Sequence, residues 1–461
     1  MNDIEFIETL KQKRNACDYS QSRLAQELQI SRQNLNEIEN GKTKASKEMK
    51  HILLHYLDYC NCTQPFTLTI DYLRVRFPTT DALEIIKNVL AMKSEYFIHE
   101  DYGMFGYEEQ YIYGDISVNA SKDSSMGVLL ELRGMGCRNL EYVLQARGID
   151  WYYFLSSCID YQGVFKRIDL AVNDMGGLLD IEILRERYYA NKVWKRSRTH
   201  EAVDSGKLSG THGDTAKTFY IGSKNSSIYF CLYEKEKEQK SKGIKTDIKN
   251  RFEIRLKSGK AEQTIEQLVF SRNPEQTIAS LILTQIDFPV YILWDIFLDN
   301  VTTSLPFIMT PVAVNMDKTK RWLERQVMPS LLMIKEIEKQ TGANYLEEID
   351  RHTRLTEKQE LKIKQMTTDI ADMIEKDTAV PQGNDGSFLI SSKKSATKRL
   401  LAYRYGARKG NLTFFSKLLI KSRFPFPIWS ERRKYFHSQL NLWQLPFPIW
   451  SKENLSFHSW Q

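Results

Sequence analysis

Between Phe66 and Leu256 the chain repeatedly alternates apolar and polar residues, in TLTIDYLRVRF, GVLLELRG, RIDLAVND, TFYIGS, SSIYFCLY and RFEIRLK. A period of two sends successive side chains to opposite faces, so each segment reads as a strand with one face in a core. Helical stretches separate these strands, and the combination predicts an antiparallel α+β domain over residues 63–262.

Three of the strands carry an acid at their centre, opposite a clean apolar row. In GVLLELRG, Val128, Leu130 and Leu132 form the row, and Glu131 and Arg133 point the other way. In RIDLAVND, Ile168, Leu170 and Val172 oppose Arg167, Asp169 and Asn173; in RFEIRLK, Phe252, Ile254 and Leu256 oppose Arg251, Glu253, Arg255 and Lys257. If the strands share a sheet, its second face sets carboxylates among guanidinium groups. Such oxygen ligands suit Mg2+ or Mn2+ beside a phosphate. The alternative is a surface of cross-strand ion pairs, each worth ~0.2–1 kcal/mol. The eight histidines contain no His-x-His pair, so a histidine-clustered metal site is not expected.

Tyrosine supplies the candidate nucleophiles. In SSIYFCLYEKEKEQK, Tyr229 and Tyr233 lie four apart, and Tyr233 stands where an apolar strand gives way to a charged helical run. A phenol with a pKa of about 10 needs a metal, a base or nearby cations before it attacks phosphorus. Lys235 is two residues away. With 23 tyrosines in the chain, position alone leaves the choice open.

Residues 1–62 show helical periodicity and, in SQSRLAQELQISRQNLNEIENGK, the spacing of a helix-turn-helix. Ala25 allows a close helix crossing, Ile30 fills the space under the turn, and Leu35 and Ile38 bury the second helix. Gln29 occupies the turn position where glycine is usual, which requires a left-handed residue or an altered bend. Ser31 caps the second helix. Gln21, Arg23, Ser31, Arg32, Gln33, Asn34, Asn36 and Lys42 then present donors and acceptors to base edges and phosphates. A helical module for protein contacts is the plainer reading.

At 461 residues the chain is long enough for two or three domains. A formal charge of +7 favours an anionic partner without naming one. Six scattered cysteines form no CxxC pair, so neither a zinc knuckle nor a disulfide framework is expected and a reducing cytoplasm fits. The charged N-terminus lacks the apolar run of a signal peptide. The most apolar window, Ile278 to Leu298, contains Asp287, Pro289 and Asp295 and reads as buried core rather than as a membrane insertion.

Helices are expected again over 263–376, with two or three amphipathic ones from Asp317 onward. Residues 377–461 comprise a linker, a segment from Ser391 to Arg423 with ten Lys or Arg and no acid, and a repeat. PFPIWS and FHS each return after 21 residues, and a unit of this kind has no evident core of its own.

The ordered series TIDYLRVRFPTTD, HEDYG, GVLLELRGMGCR, RIDLAVND, YIGS, YFCLYEKEKEQ and NRFEIRLK resembles the Rep_trans replication initiation family over about residues 66–260. With the preceding helix-turn-helix and the following helices, residues 1–375 or so look like MobT-type relaxases of integrative conjugative elements. The resemblance implies that Tyr233 forms a 5′-phosphotyrosyl bond at a nick in an origin of transfer, with Tyr229 as the fallback. It also implies a divalent metal, Mg2+ or Mn2+, held by Asp169 and Glu253 with Glu131 as a third ligand. Arg167, Arg251 and Lys235 would neutralise phosphate oxygens. Implied partners are double- and single-stranded DNA, a host helicase, a conjugative coupling protein and a second copy of the chain. Gly134 and Gly136 allow a tight turn. A rolling-circle plasmid replication initiator shares this chemistry; a non-enzymatic helix-turn-helix regulator is the alternative without it.

Overall fold

A computed structural model describes residues 2–205 and 216–375; the basic segment and the 21-residue repeat lie outside the described residues. The chain opens with four helices, α1 (Asp3–Ala16), α2 (Gln21–Glu27), α3 (Arg32–Glu39) and α4 (Lys47–Cys60). Phe6, Leu10, Leu24, Ala25, Leu35, Ile38, Leu53 and Leu57 form their buried interior. Each start is defined by a side-chain cap: Asn2, Ser20, Ser31 and Ser46 accept from backbone N–H groups of the first turns. Such caps contribute about 0.5–2 kcal/mol each. Between α2 and α3, Gln29 takes φ +54°, so this turn keeps the left-handed geometry without glycine.

Twelve strands follow: β1 (Phe66–Phe77), β2 (Ile98–Glu100), β3 (Glu109–Tyr113), β4 (Ile116–Ala120), β5 (Val128–Arg133), β6 (Val164–Asp174), β7 (Trp194–Lys195), β8 (His200–Ser205), β9 (Ala216–Ile221), β10 (Ile228–Tyr233), β11 (Asn250–Lys257) and β12 (Ile286–Asp287). Ten form one sheet in the order β2-β3-β4-β5-β1-β6-β11-β10-β9-β8, and β7 pairs with β12. Every pairing within the large sheet is antiparallel. The three apolar rows read from the sequence are buried.

Strand β1 breaks the period of two. Opposite β6, Ile70 pairs with Leu170 and Tyr72 with Asp169, leaving Asp71 as an extra residue. This bulge switches parity: Leu68 and Ile70 face the core before it, Leu73 and Val75 after it. Tyr72 and Arg74 are thereby re-aimed to the polar face.

The intervening helices in chain order are α5 (Ala82–Asn88), α6 (Met135–Ala146), α7 (Trp151–Asp160), α8 (Ile181–Tyr189), α9 (Lys235–Ser241), α10 (Gly259–Ser271), α11 (Pro274–Leu283) and α12 (Ile292–Thr303). Helices α6 and α10 lie against the sheet, and α12 supplies Trp294 and Phe297, which meet Phe252 at ring-centroid distances of 6.1 and 5.7 Å. Both α12 rings are fully buried, as the apolar window predicts; removing either would cost about 3–5 kcal/mol. No helix among the described residues is long and apolar enough to cross a membrane. Gly134 begins α6 with φ +43°, and a Cβ on Gly136 would stand 2.3 Å from the Asp115 carbonyl oxygen.

From Asp317 the expected two or three helices are four helical runs among the described residues, 317–341 with a π-helical turn at 323–327, then 345–352, 357–367 and 370–373. Gly342 at φ +72° ends the longest of them.

Candidate active site

With helices on the apolar face, the opposite face of β5, β1, β6, β11 and β10 gathers the acids and arginines. Register fixes their neighbours: Arg74 lies opposite Glu131, Tyr72 opposite Asp169, Asp169 opposite Arg255, and Tyr233 opposite Arg251. Paired residues in antiparallel strands point to the same side, so all of these share one face.

Tyr233 is the last residue of β10 and is partly exposed. Its hydroxyl donates to Glu253 Oε1 at 2.6 Å, and Arg251 Nη1 donates to the phenol oxygen at 3.4 Å. Arg251 is buried and held from three sides. Its Nε donates to Asn173 at 2.8 Å, Nη1 pairs with Asp71 at 2.9 Å, and Nη1 stands 3.8 Å from Glu253. The Asp71 carboxylate that anchors it comes from the β1 bulge. Burial pushes the Tyr233 phenol well above 10, opposed by Arg251 and reinforced by Glu253. The Lys235 ammonium, pulled down by burial, lies 5.4 Å from the Tyr233 ring centroid and pairs with Glu238 at 2.8 Å. Tyr229 lies on the same face of β10, further from its end, and is 4% exposed.

Each acid is paired with the arginine two residues along its strand, as the alternation implies. Arg167 grips Asp169 at 2.8 and 2.6 Å, Arg255 grips Glu253 Oε2 at 2.9 and 2.6 Å, and Arg133 reaches Glu131 at 2.6 Å. The three carboxylates are 1–3% exposed. Asp169 and Glu253 sit on adjacent strands with Arg255 between them, its Nε 3.7 Å from Asp169 Oδ2. Burial lifts the Asp169 carboxyl to about 6, against the pull of Arg167 and Arg255. A pair of buried carboxylates with one acid held so high is a donor set that a hard cation would relieve.

Glu131 stands apart. Strand β1 intervenes between β5 and β6, which puts the Glu131 strand about 10 Å from that of Asp169. Its carboxylate is engaged by Tyr72, Arg74 and Arg133.

Among the described residues, the one group of three His, Cys, Asp or Glu whose ligand atoms lie within 4.8 Å of one another is His51, His55 and Asp180. The sequence gives no expectation of a histidine-clustered metal site, yet two histidines and an aspartate meet here. The signal was a spacing of four on a helix, which places both rings on one face, rather than the His-x-His spacing of a strand. The HEDYG histidine, His99, pairs with Glu109 at 2.9 Å on the sheet's far edge.

In the N-terminal bundle, Ser31, Arg32, Gln33, Asn36, Arg23 and Lys42 are exposed, and Asn34 and Gln21 partly so. Several are already committed. Ser31 Oγ accepts from Asn34 N at 3.0 Å, Gln21 donates to Glu39 at 2.7 Å, and the Arg23 guanidinium lies 4.2 Å from the Tyr19 ring centroid. Arg32 and Gln33 open the exposed face of α3.

Comparison with known proteins matches three successive stretches of the chain. Residues 10–59 match the family described as helix-turn-helix, residues 67–157 the N-terminal domain of rolling circle replication initiation proteins, and residues 163–349 the replication initiation factor family, Rep_trans. A protein of Bacillus subtilis (strain 168), "Putative DNA relaxase NicK", is 30% identical over 328 residues, which span 67% of this chain and 92% of that protein. A solved rolling circle replication initiator protein from Geobacillus stearothermophilus is 23% identical with a TM-score of 0.47, covering 53% of this chain and 99% of that one.

Proposed function

The chain is a relaxase of the replication initiation factor family with an N-terminal helix-turn-helix, and from that premise we propose that it nicks and rejoins one DNA strand at an origin of transfer through Tyr233. The observation that carries the assignment is the 2.6 Å hydrogen bond from the Tyr233 hydroxyl to Glu253. A phenol held above its ordinary pKa is protonated at neutral pH and needs an acceptor, and Glu253 Oε1 is already in contact with that proton.

In this reading the Tyr233 oxygen attacks the scissile phosphorus as its proton passes to Glu253. The bond from phosphorus to the 3′ oxygen breaks, and that oxygen leaves to take a proton from solvent. The 5′ end stays on the protein as a phosphotyrosyl ester, which conserves the energy of the broken bond for the reverse attack by the 3′ hydroxyl. Arg251, fixed by Asn173 and Asp71, stabilises the phenolate and one phosphate oxygen. Lys235 adds positive charge beside the ring.

Asp169 and Glu253 Oε2 would hold Mg2+ or Mn2+, the arginines between them swinging to the DNA; such an ion supplies Lewis-acid polarisation of the phosphate. Two carboxylates with water and substrate oxygens are an ordinary magnesium set. Glu131 serves in this proposal to orient Tyr72 and Arg74. Arg74, Arg133, Arg167, Arg255 and Lys257 share the polar face and form a track for the strand's phosphates. The helix-turn-helix chooses the duplex site through α3. A host helicase, a coupling protein and a second copy belong to the proposal as partners acting after the nick.

The match of residues 67–157 to rolling circle initiators favours a second reading, plasmid replication initiation by the same chemistry. A nicking assay on supercoiled plasmid carrying the element's own intergenic DNA tests the proposal. Protein linked to the 5′ end is expected; DNA binding without any nick would instead indicate a regulator.

A further inference from the structure

Helix α4 of the N-terminal bundle meets the first turn of α8 through three side chains that strand cleavage does not use. His51 and His55 stand one turn apart on α4, their rings stacked with centroids 5.5 Å apart and planes at 12°. Both face one oxygen, Asp180 Oδ2: His51 through Nδ1 in direct contact, His55 through Nε2 at 3.4 Å. The other Asp180 oxygen is committed to capping α8, accepting from Glu182 N and Ile183 N at 2.9 and 3.0 Å.

The tautomer of His55 follows from its other nitrogen. Nδ1 contacts the Gly177 carbonyl oxygen, which only accepts, so Nδ1 carries the proton and Nε2 of the neutral ring turns a lone pair toward the carboxylate. His51 Nδ1, in contact with the same oxygen, carries a proton there, and an ion that replaces this proton gains two ring nitrogens and a carboxylate oxygen as ligands. Protonating both rings would place two cations face to face. One divalent ion satisfies all three groups.

The His55–Asp180 spacing already suits such an ion, whereas His51, in direct contact with the carboxylate, has to turn away from it to make room. Tetrahedral zinc with bonds of about 2.0–2.1 Å holds its ligand atoms about 3.3–3.4 Å apart, which is the 3.4 Å between His55 Nε2 and Asp180 Oδ2. The Gly177 carbonyl orients the ring as outer partners of metal-bound imidazoles do. Lys47 and Lys50 line the adjoining cavity of about 410 Å3, but are drawn off by Glu186 and Asp3. The histidine side chains are 32% and 29% exposed, which leaves a fourth position for water.

We propose that His51, His55 and Asp180 bind a zinc-class transition metal ion that fastens the helix-turn-helix bundle to the nicking domain. The consequence reaches the nucleophile's strand, because a groove of about 160 Å3 beside the site is lined by His55, Gly177, Lys249 and Glu234. Glu234 follows Tyr233 directly. The ion would set the position of the DNA-reading helices relative to the cutting strand, separately from any ion at Asp169 and Glu253.

The test is a Co2+ titration of the full-length, chelator-stripped chain in excess Mg2+, followed by visible absorption. One four-coordinate Co2+ per chain is expected, displaced by Zn2+. His51→Gln and Asp180→Asn should each weaken it at least about 100-fold, while Asp169→Asn binds as the parent does. Asn keeps an oxygen for the α8 cap, and circular dichroism checks that both variants fold. Zn2+ should also raise the melting temperature of the parent and not of His51→Gln. Equal Co2+ affinity in parent, His51→Gln and Asp180→Asn, or loss of the ion in Asp169→Asn instead, would overturn the proposal.

Discussion

Tyr233 and Glu253 meet across the β10–β11 pair, phenol to carboxylate, at 2.6 Å. They are not directly opposite in register: Tyr233 pairs with Arg251 and Cys231 with Glu253. The hydrogen bond is a diagonal one, reaching the residue two positions along. Replacing Glu253 by Gln keeps the shape and removes the proton acceptor. The nicking rate should fall by about 10^2- to 10^4-fold, with binding to uncut DNA retained. Single-turnover nicking beside a gel-shift titration separates the two effects.

Arg251 is locked by Asn173 and Asp71, so its role depends on geometry as well as charge. Arg251→Lys keeps the charge and loses the fork. We expect a loss of about 10^2- to 10^3-fold in nicking. Asp71→Asn, which frees the guanidinium without removing it, should give a smaller loss in the same assay.

Residues that a period-two reading sorts correctly are those on straight strands. The apolar rows of β5, β6 and β11 and the acids between them were legible because each row lies on an uninterrupted stretch of its strand, the β6 row starting after the irregularity at Lys166. The β1 bulge was not, since one extra residue at Asp71 leaves the local composition unchanged while reversing which side chains face the core. Strand order is likewise absent from local pattern. Nothing in GVLLELRG says that β5 lies beside β1 and not β6, and that order separates Glu131 from Asp169 and Glu253. His51 and Asp180 are 129 residues apart, and only the packing of α4 on α8 joins them.

Gln29 holds φ +54° in the turn between α2 and α3. A non-glycine residue there costs about 1 kcal/mol, partly offset in Gly by the entropy of the unfolded chain. Gln29→Gly should stabilise the bundle by roughly 0.5–1 kcal/mol, measured by denaturant unfolding, with the DNA site unchanged.

The exposed start of α3 gives a separable phenotype. Arg32→Ala with Gln33→Ala should lower affinity for the duplex target by about 1–3 kcal/mol for each base edge that α3 no longer reads. Cleavage of a short single-stranded oligonucleotide should stay near the parental rate. Equal reductions on both substrates would place α3 outside site selection.

Removing divalent ions should stop nicking while leaving the gel shift intact, and Mn2+ or Mg2+ should restore it. Asp169→Asn should raise the Mn2+ concentration needed for half-maximal nicking by at least about 10-fold, as expected when a ligand is weakened. Glu131→Gln should shift that concentration far less, because its carboxylate lies about two strand spacings from Asp169. A titration of rate against Mn2+ for the parent and the two variants distinguishes these cases.

Strand cleavage through Tyr233 leaves the DNA on one phenol oxygen, and mapping the covalent adduct identifies that oxygen. The protein is incubated with target DNA, digested with trypsin and nuclease, and the peptide carrying the 5′ nucleotide is sequenced by mass spectrometry. The nucleotide is expected on Tyr233, absent in Tyr233→Phe with a loss on the order of 10^3-fold or more in nicking, and retained in Tyr229→Phe. A nucleotide found on Tyr229, or an undiminished adduct in Tyr233→Phe, would contradict cleavage through Tyr233.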